Sequence, residues 1–173
     1  MSLKFGTDGI RGVAFKELTT KLSFALGQAA VSVFSADQPF VIGRDTRESG
    51  PALAHALAEG IRAAGGIVED LGVLPTPAVA YFSASRNVPA AVISASHNPY
   101  ADNGIKFFAP GGRKLSAALE AQLEAELQHY LAESQPFDDG EMLAQYFSGD
   151  QSVVAEYESH VLRAADSIND LRV

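Results

Sequence analysis

The feature that most constrains this chain is a regular alternation of short apolar runs with amphipathic stretches. Phe40-Val41-Ile42-Gly43 ends in Arg44-Asp45-Thr46-Arg47, as a buried strand does when it delivers polar residues at its carboxyl end. Ser49-Gly50-Pro51 then opens a helix with the stripe Leu53, Leu57, Ile61, Ala64, and Gly65-Gly66 closes it. Ile67 to Gly72 reads as a second strand, Pro75-Thr76-Pro77 as a turn opening a short helix through Tyr81, and Ala90 to Ser94 as a third strand. Strand, helix, strand, helix, strand predicts an α/β fold in three layers: a mixed, mostly parallel sheet covered by helices, with ligands at the strand ends.

The flanking segments extend this plan. Thr19 and Thr20 cap a helix with Leu22, Leu26, Ala29 and Val33 on one face, stopped by Asp37-Gln38-Pro39. Gly104 to Phe108 forms a strand with Ile105 and Phe107 on one side and Lys106 and Phe108 on the other. Ser116 starts a covering helix with Leu119, Leu123, Leu127 and Leu131, whose outer face is acidic. Gln135 to Gly140 reads as a loop, and Asp150 caps a last helix carrying Val154, Tyr157, Val161 and Ala165. Leu171-Arg172-Val173 resembles the start of a new strand, so the expectation is one domain over residues 1–149, then a linker helix and the truncated start of a second domain over 150–173.

Composition excludes several chemistries. With no cysteine, the chain has no disulfide framework, thiolate nucleophile or zinc-thiolate site, and a reducing cytoplasm suits it. It shows neither the layout of a signal peptide nor an apolar run near the ~20 residues that span a bilayer, so a cytoplasmic protein without a membrane partner is expected. A net charge of -8 argues against a nucleic-acid surface. The distribution is uneven: residues 115–173 hold 12 of the 21 acids, and Arg163 and Arg172 are their only lysine or arginine residues. Arg11, Arg44, Arg47, Lys106, Arg113 and Lys114 sit in or beside Gly-rich loops, where a small anion would be held or where they would be ordinary surface charge.

Ser94-Ala95-Ser96-His97-Asn98-Pro99 follows an apolar strand and ends in proline, which delivers its hydroxyls and imidazole to a loop. Ser96 beside His97 is either a nucleophile with a polarising neighbour or part of a Ser/Asn turn satisfying its own backbone, and the local pattern favours the turn. A nucleophile elbow is disfavoured, because neither Ser94 nor Ser96 has glycines two residues away on both sides. Gly6 to Gly12 sets three glycines around Arg11, so amides and guanidinium could meet a phosphate, but it lacks nucleotide-loop spacing and also reads as an N-terminal turn. Lys106 is a phosphate contact, a proton-transfer group or a solvated edge-strand lysine. Of the four histidines, none with metal-site spacing, only His97 is a candidate.

Four ordered blocks carry a resemblance: Phe5 to Gly12, Gly43 to Gly50, Ser94 to Pro99 and Asp102 to Phe108. Together they resemble the α-D-phosphohexomutase family, and the details of three segments, Pro75 to Tyr81 among them, are most similar to the branch acting on glucosamine phosphate. Mutases of mannose and glucose phosphates are the alternative, and a non-catalytic phosphate-binding domain is the contrasting class. The resemblance implies that Ser96 is the phosphorylated serine of a mutase that interconverts hexosamine 6- and 1-phosphates through a bisphosphate intermediate. It implies catalytic roles for His97, Lys106 and Arg11, and phosphate or substrate contacts at Arg44, Asn98 and Gly104. It also implies Mg²⁺, held here only through the phosphate oxygen on Ser96, with a sugar bisphosphate as activator. The family's aspartate-rich metal loop and sugar loops are absent from these 173 residues, so the partners expected are a sugar phosphate and the C-terminal domains of a longer chain.

Overall fold

Thr19 begins the first helix as its position predicts: its backbone is extended and its hydroxyl accepts a hydrogen bond from the Leu22 amide at 3.1 Å, satisfying one of the donors a helix start leaves open. The structure, a computed structural model, describes residues 9–133 and 151–166. In chain order these form β1 (Ile10–Val13), α1 (Thr20–Phe34), β2 (Pro39–Arg44), α2 (Gly50–Ala63), β3 (Ile67–Val73), α3 (Thr76–Arg86), β4 (Ala90–Ile93), β5 (Asp102–Ala109), β6 (Arg113–Lys114), α4 (Ala117–Glu133) and α5 (Gln151–Asp166). Residues 5–8, the loop at 135–140, the cap at Asp150, the boundary at 149/150 and Leu171 to Val173 lie outside the described residues.

The strands run β1-β5-β4-β2-β3, with β6 beside β5. β2 pairs in parallel with β3 and β4, while β5 pairs antiparallel with β4, β1 and β6. The three strands of the alternation therefore form the parallel part of a mixed sheet, and β1, β5 and β6 form an antiparallel flank. Period-two alternation divides the side chains into two cores. Phe40, Ile42, Ala91, Ile93, Ile105 and Phe107 meet α1, α2 and α4, whereas Val41, Ala90, Val92 and Phe108 meet α3 and α5.

Three elements depart from the sequence expectation, one of them β6, where Arg113 and Lys114, read as loop, pair with Ala109 and Phe108. Arg11 and Gly12, read as loop, belong to β1, with Ile10 opposite Ile105 and Arg11 opposite Gly104. Four residues carry no usable periodicity, and burial of Ile10 against a strand some 95 positions away in the chain decides the conformation. α3 runs on to Arg86, because Phe82 and Ser83 are buried and Asn87, in the left-handed region at φ 54°, supplies the stop. α4 lies on α1, with Leu123 and Leu127 buried and Leu119 and Leu131 partly so. α5 lies along α3, where His160 stacks on Tyr81 at 4.2 Å between ring centres.

The sheet has one titration-sensitive position. Asp70 Oδ1 accepts from the Gly72 amide at 2.8 Å beside a register shift, while its other oxygen is buried. Burial raises its pKa above the ordinary value, opposed by the Gly72 hydrogen bond and the charges of Arg44 and Arg62. A carboxyl that binds its proton more tightly when folded costs no stability below the ordinary aspartate range, near pH 4, and costs progressively more as pH rises through its folded value. Asp70→Asn, which mimics the protonated form, should therefore raise the melting temperature at pH 7 to 8. That gain should vanish in melts below pH 4.

Candidate active site

Parallel pairing of β2 and β4 brings their carboxyl ends to the same edge of the sheet. The chain leaves β2 toward β3 but leaves β4 toward β5, so neighbouring connections diverge and open a crevice between them. The loop after β2 contributes Asp45 to Ser49, and the loop after β4 contributes Ser94 to Ala101.

Ser96 is exposed at the tip of the second loop, with φ at +54°. A left-handed backbone at a non-glycine residue costs about 1 kcal/mol and persists only where the surroundings impose it. Here the Ser96 amide donates to Ser94 Oγ at 3.0 Å, and Ser94 Oγ in turn donates to Asp45 Oδ2 at 2.7 Å. Asn98 N donates to the Ala95 carbonyl at 3.1 Å and closes the turn. The turn reading and the exposed-hydroxyl reading of this segment are thus both present in the same loop. His97 Nδ1 lies 3.4 Å from Ser96 Oγ, and Asn98 Nδ2 donates to Asp102 Oδ2 at 3.1 Å.

Beneath the loop sits Arg47, 7% exposed. Its Nε donates to Asp45 Oδ2 at 3.0 Å. One terminal nitrogen donates to the carbonyls of Pro99 and Asp102 at 2.5 and 2.9 Å, and the other to those of Ser96 and Asn98 at 2.9 and 3.0 Å. All five guanidinium donors are spent inside the protein, which removes Arg47 from the anion-holding bases expected from sequence. Asp45, Ser94 and Arg47 are the residues of this network whose roles the sequence did not disclose. The only local signal was an aspartate two residues before an arginine, whose amide it caps at 3.0 Å.

Gly104 sits beside Ser94, whose amide donates to its carbonyl at 2.9 Å. A Cβ there would lie 2.8 Å from Arg11 Cγ and 2.9 Å from the Ser94 carbonyl oxygen, so only glycine lets the Arg11 side chain cross the strand. Arg11 and Lys106 share that sheet face, and Lys106 Nζ lies 5.5 Å from the centre of the Phe108 ring. Lys106 is on no edge, because β5 is paired with β4 at that position and with β1 beside it. Arg44 does not join them. It turns to the opposite face, passes Gly50 at the start of α2 and is 8% exposed. Arg113 and Lys114 lie in β6 against the far end of β5, away from the serine loop. The structure therefore brings together Ser96, His97, Asn98, Gly104 and Arg11, with Lys106 one step along the strand, and separates Arg44, Arg113 and Lys114 from them.

Residues 2–133 match the family described as phosphoglucomutase/phosphomannomutase, alpha/beta/alpha domain I. The chain belongs to that family. Among curated family members, a phosphoglucosamine mutase of Bifidobacterium animalis subsp. lactis is 52% identical over 135 residues, covering 73% of this chain and 30% of its own length. A phosphoglucosamine mutase of Symbiobacterium thermophilum is 46% identical over 179 residues, covering all of this chain and 40% of its own. Among solved family members, a putative phosphomannomutase from Thermus thermophilus superposes with a TM-score of 0.68 at 30% identity, over 73% of this chain and 30% of that one. A phosphoglucomutase/phosphomannomutase family protein from Burkholderia thailandensis gives 0.60 at 34% identity, over 71% and 30%. The chain thus spans about a third of the length of the relatives it matches. No helix among the described residues is long and apolar enough to cross a membrane.

The family's implied metal finds no cage here. Among the described residues no three acidic or histidine side chains converge on one point; of the two carboxylates against the serine loop, Asp45 spends its oxygens on Arg47 and Ser94, and Asp102 accepts from Asn98. An ion near Ser96 would take its remaining ligands from elsewhere.

Proposed function

We propose that this chain is the phosphoryl-carrying domain of a phosphohexomutase that interconverts glucosamine 6-phosphate and glucosamine 1-phosphate in the cytoplasm. The observation that carries the reading is Ser96: an exposed hydroxyl on a backbone-strained, internally braced loop at the sheet's crevice, with an imidazole nitrogen 3.4 Å away. Its identity to proteins named phosphoglucosamine mutase supports the choice of sugar.

In this reading phosphorylated Ser96 meets the free hydroxyl of the sugar phosphate. A P–O bond to the sugar forms as the Oγ–P bond breaks, and the sugar's hydroxyl proton passes by way of His97 or Lys106 to the departing Ser96 oxygen, which is left as a free hydroxyl. The resulting bisphosphate turns over and returns its other phosphoryl group to Ser96. Net transfer between C6 and C1 follows without loss of phosphate. Arg11 and Lys106, two cations on one sheet face beside the loop, offset the negative charge that collects there, and Asn98 and Gly104 keep the loop's shape. Mg²⁺, a bisphosphate activator and the further domains of the longer chain complete the site, and the domain boundary near residue 149 belongs to the same proposal.

Incubating the full chain with glucosamine 1,6-bisphosphate and mapping its phosphopeptides should place one phosphate on Ser96. Phosphate elsewhere, or none, would overturn the reading. The 173-residue chain alone, given glucosamine 6-phosphate, Mg²⁺ and the bisphosphate, should show no turnover. Rates of the full chain on glucosamine, mannose and glucose phosphates rank the sugars; the likeness to a putative phosphomannomutase makes mannose phosphate the second reading.

A further inference from the structure

We propose that Arg47 is the positioning residue of the phosphoryl-transfer loop, setting the place from which Ser96 gives and takes its phosphoryl group; this rests on the function proposed above. A buried guanidinium must be matched donor for donor, and here four of its five partners are carbonyl oxygens drawn from the seven residues Ser96 to Asp102. Four carbonyl dipoles converging on one cation fix the path of the whole loop from below. The fifth partner, Asp45, stands in the same loop as Arg47, orients its guanidinium, and also holds Ser94, whose hydroxyl holds the Ser96 amide. Two loops that leave adjacent strands are thereby joined, with Arg47 making most of the hydrogen bonds and the Asp45–Ser94 and Glu48–Tyr100 bonds beside it.

The lock determines what faces the substrate. All peptide bonds among the described residues are trans, so a carbonyl turned inward turns the following amide outward. With the Ser96 carbonyl on Arg47, the His97 amide points away from the buried cation, toward the side where a phosphoryl group on Ser96 needs donors. Arg47 never meets the reacting atoms. It places the hydroxyl and an amide relative to each other.

Lysine keeps the charge but not the planar five-donor fork, so Arg47→Lys in the full chain is the decisive variant. Misplacement of a reacting group by an ångström costs about 100-fold in rate. At saturating glucosamine 1,6-bisphosphate, phosphorylation of Ser96 should slow by about that factor, with KM unchanged and hydrogen exchange at the Asn98 and Asp102 amides accelerated. Arg47→Ala, which risks unfolding, should regain part of its rate in added guanidinium chloride at non-denaturing concentration. A folded Arg47→Lys protein that takes phosphate on Ser96 at the parent rate, or one whose exchange at these amides is unchanged, overturns the positioning role. If the parent protein itself takes no phosphate on Ser96, the proposed function fails first and takes this role with it.

Discussion

Ser96→Ala in the full chain should abolish mutase turnover, lowering kcat by about 10⁴-fold or more, the scale of loss seen when the group that forms the covalent intermediate is removed. No other hydroxyl occupies its position. Ser94, two residues earlier, donates its proton to Asp45 and accepts the Ser96 amide, so its oxygen is committed to holding the loop. The change should leave the fold intact, because Ser96 is exposed and its hydroxyl, among the described residues, bonds to His97 alone. Stability within about 0.5 kcal/mol of the parent is expected, as for an ordinary surface substitution. Steady-state assays paired with thermal melts separate the two effects. An active, unphosphorylated Ser96→Ala protein would exclude the mechanism and favour a phosphate-binding module without chemistry.

Gly60→Ala should destabilise the domain by about 3 kcal/mol, although alanine is the better helix former by about 1 kcal/mol. α1 and α2 cross with their backbones in contact. A Cβ on Gly60 would fall on the carbonyl oxygen of Phe24, and one on Gly27 would fall on that of Leu57. The obstructing atoms are backbone, which no rotamer change can move, so the helices must separate and open the core holding Leu26, Leu53 and Leu57. A fall in melting temperature of roughly 10 °C is the expected reading. Gly65→Ala is the matched comparison: it meets nothing within 4 Å and bears only the strain of φ +86°, about 1 kcal/mol. A Gly60→Ala protein more stable than the parent would show that helix propensity, and not the crossing, governs the position.

The sequence by itself determined whatever is written over a few neighbouring residues. Period-two and period-3.6 patterns placed β2 to β5 and α1 to α5, Thr19 announced its cap, and the run from Ser94 to Pro99 announced a polar loop after a buried strand. Ordered blocks from Phe5 to Phe108 pointed to the family that residues 2–133 match. Tertiary structure alone decided how charges were shared out. Arg44, Arg47, Arg113 and Lys114 look alike in the chain. Yet Arg47 is buried on carbonyls about 50 residues away, Arg44 turns to the other face, and the last two lie at the far end of β5. β1 became a strand only because β5 offered it a partner. Periodicity and capping arise from backbone geometry over one or two turns, which any local window contains. The direction of a buried cation depends on carbonyls supplied by another loop, and no window contains those until the sheet has formed.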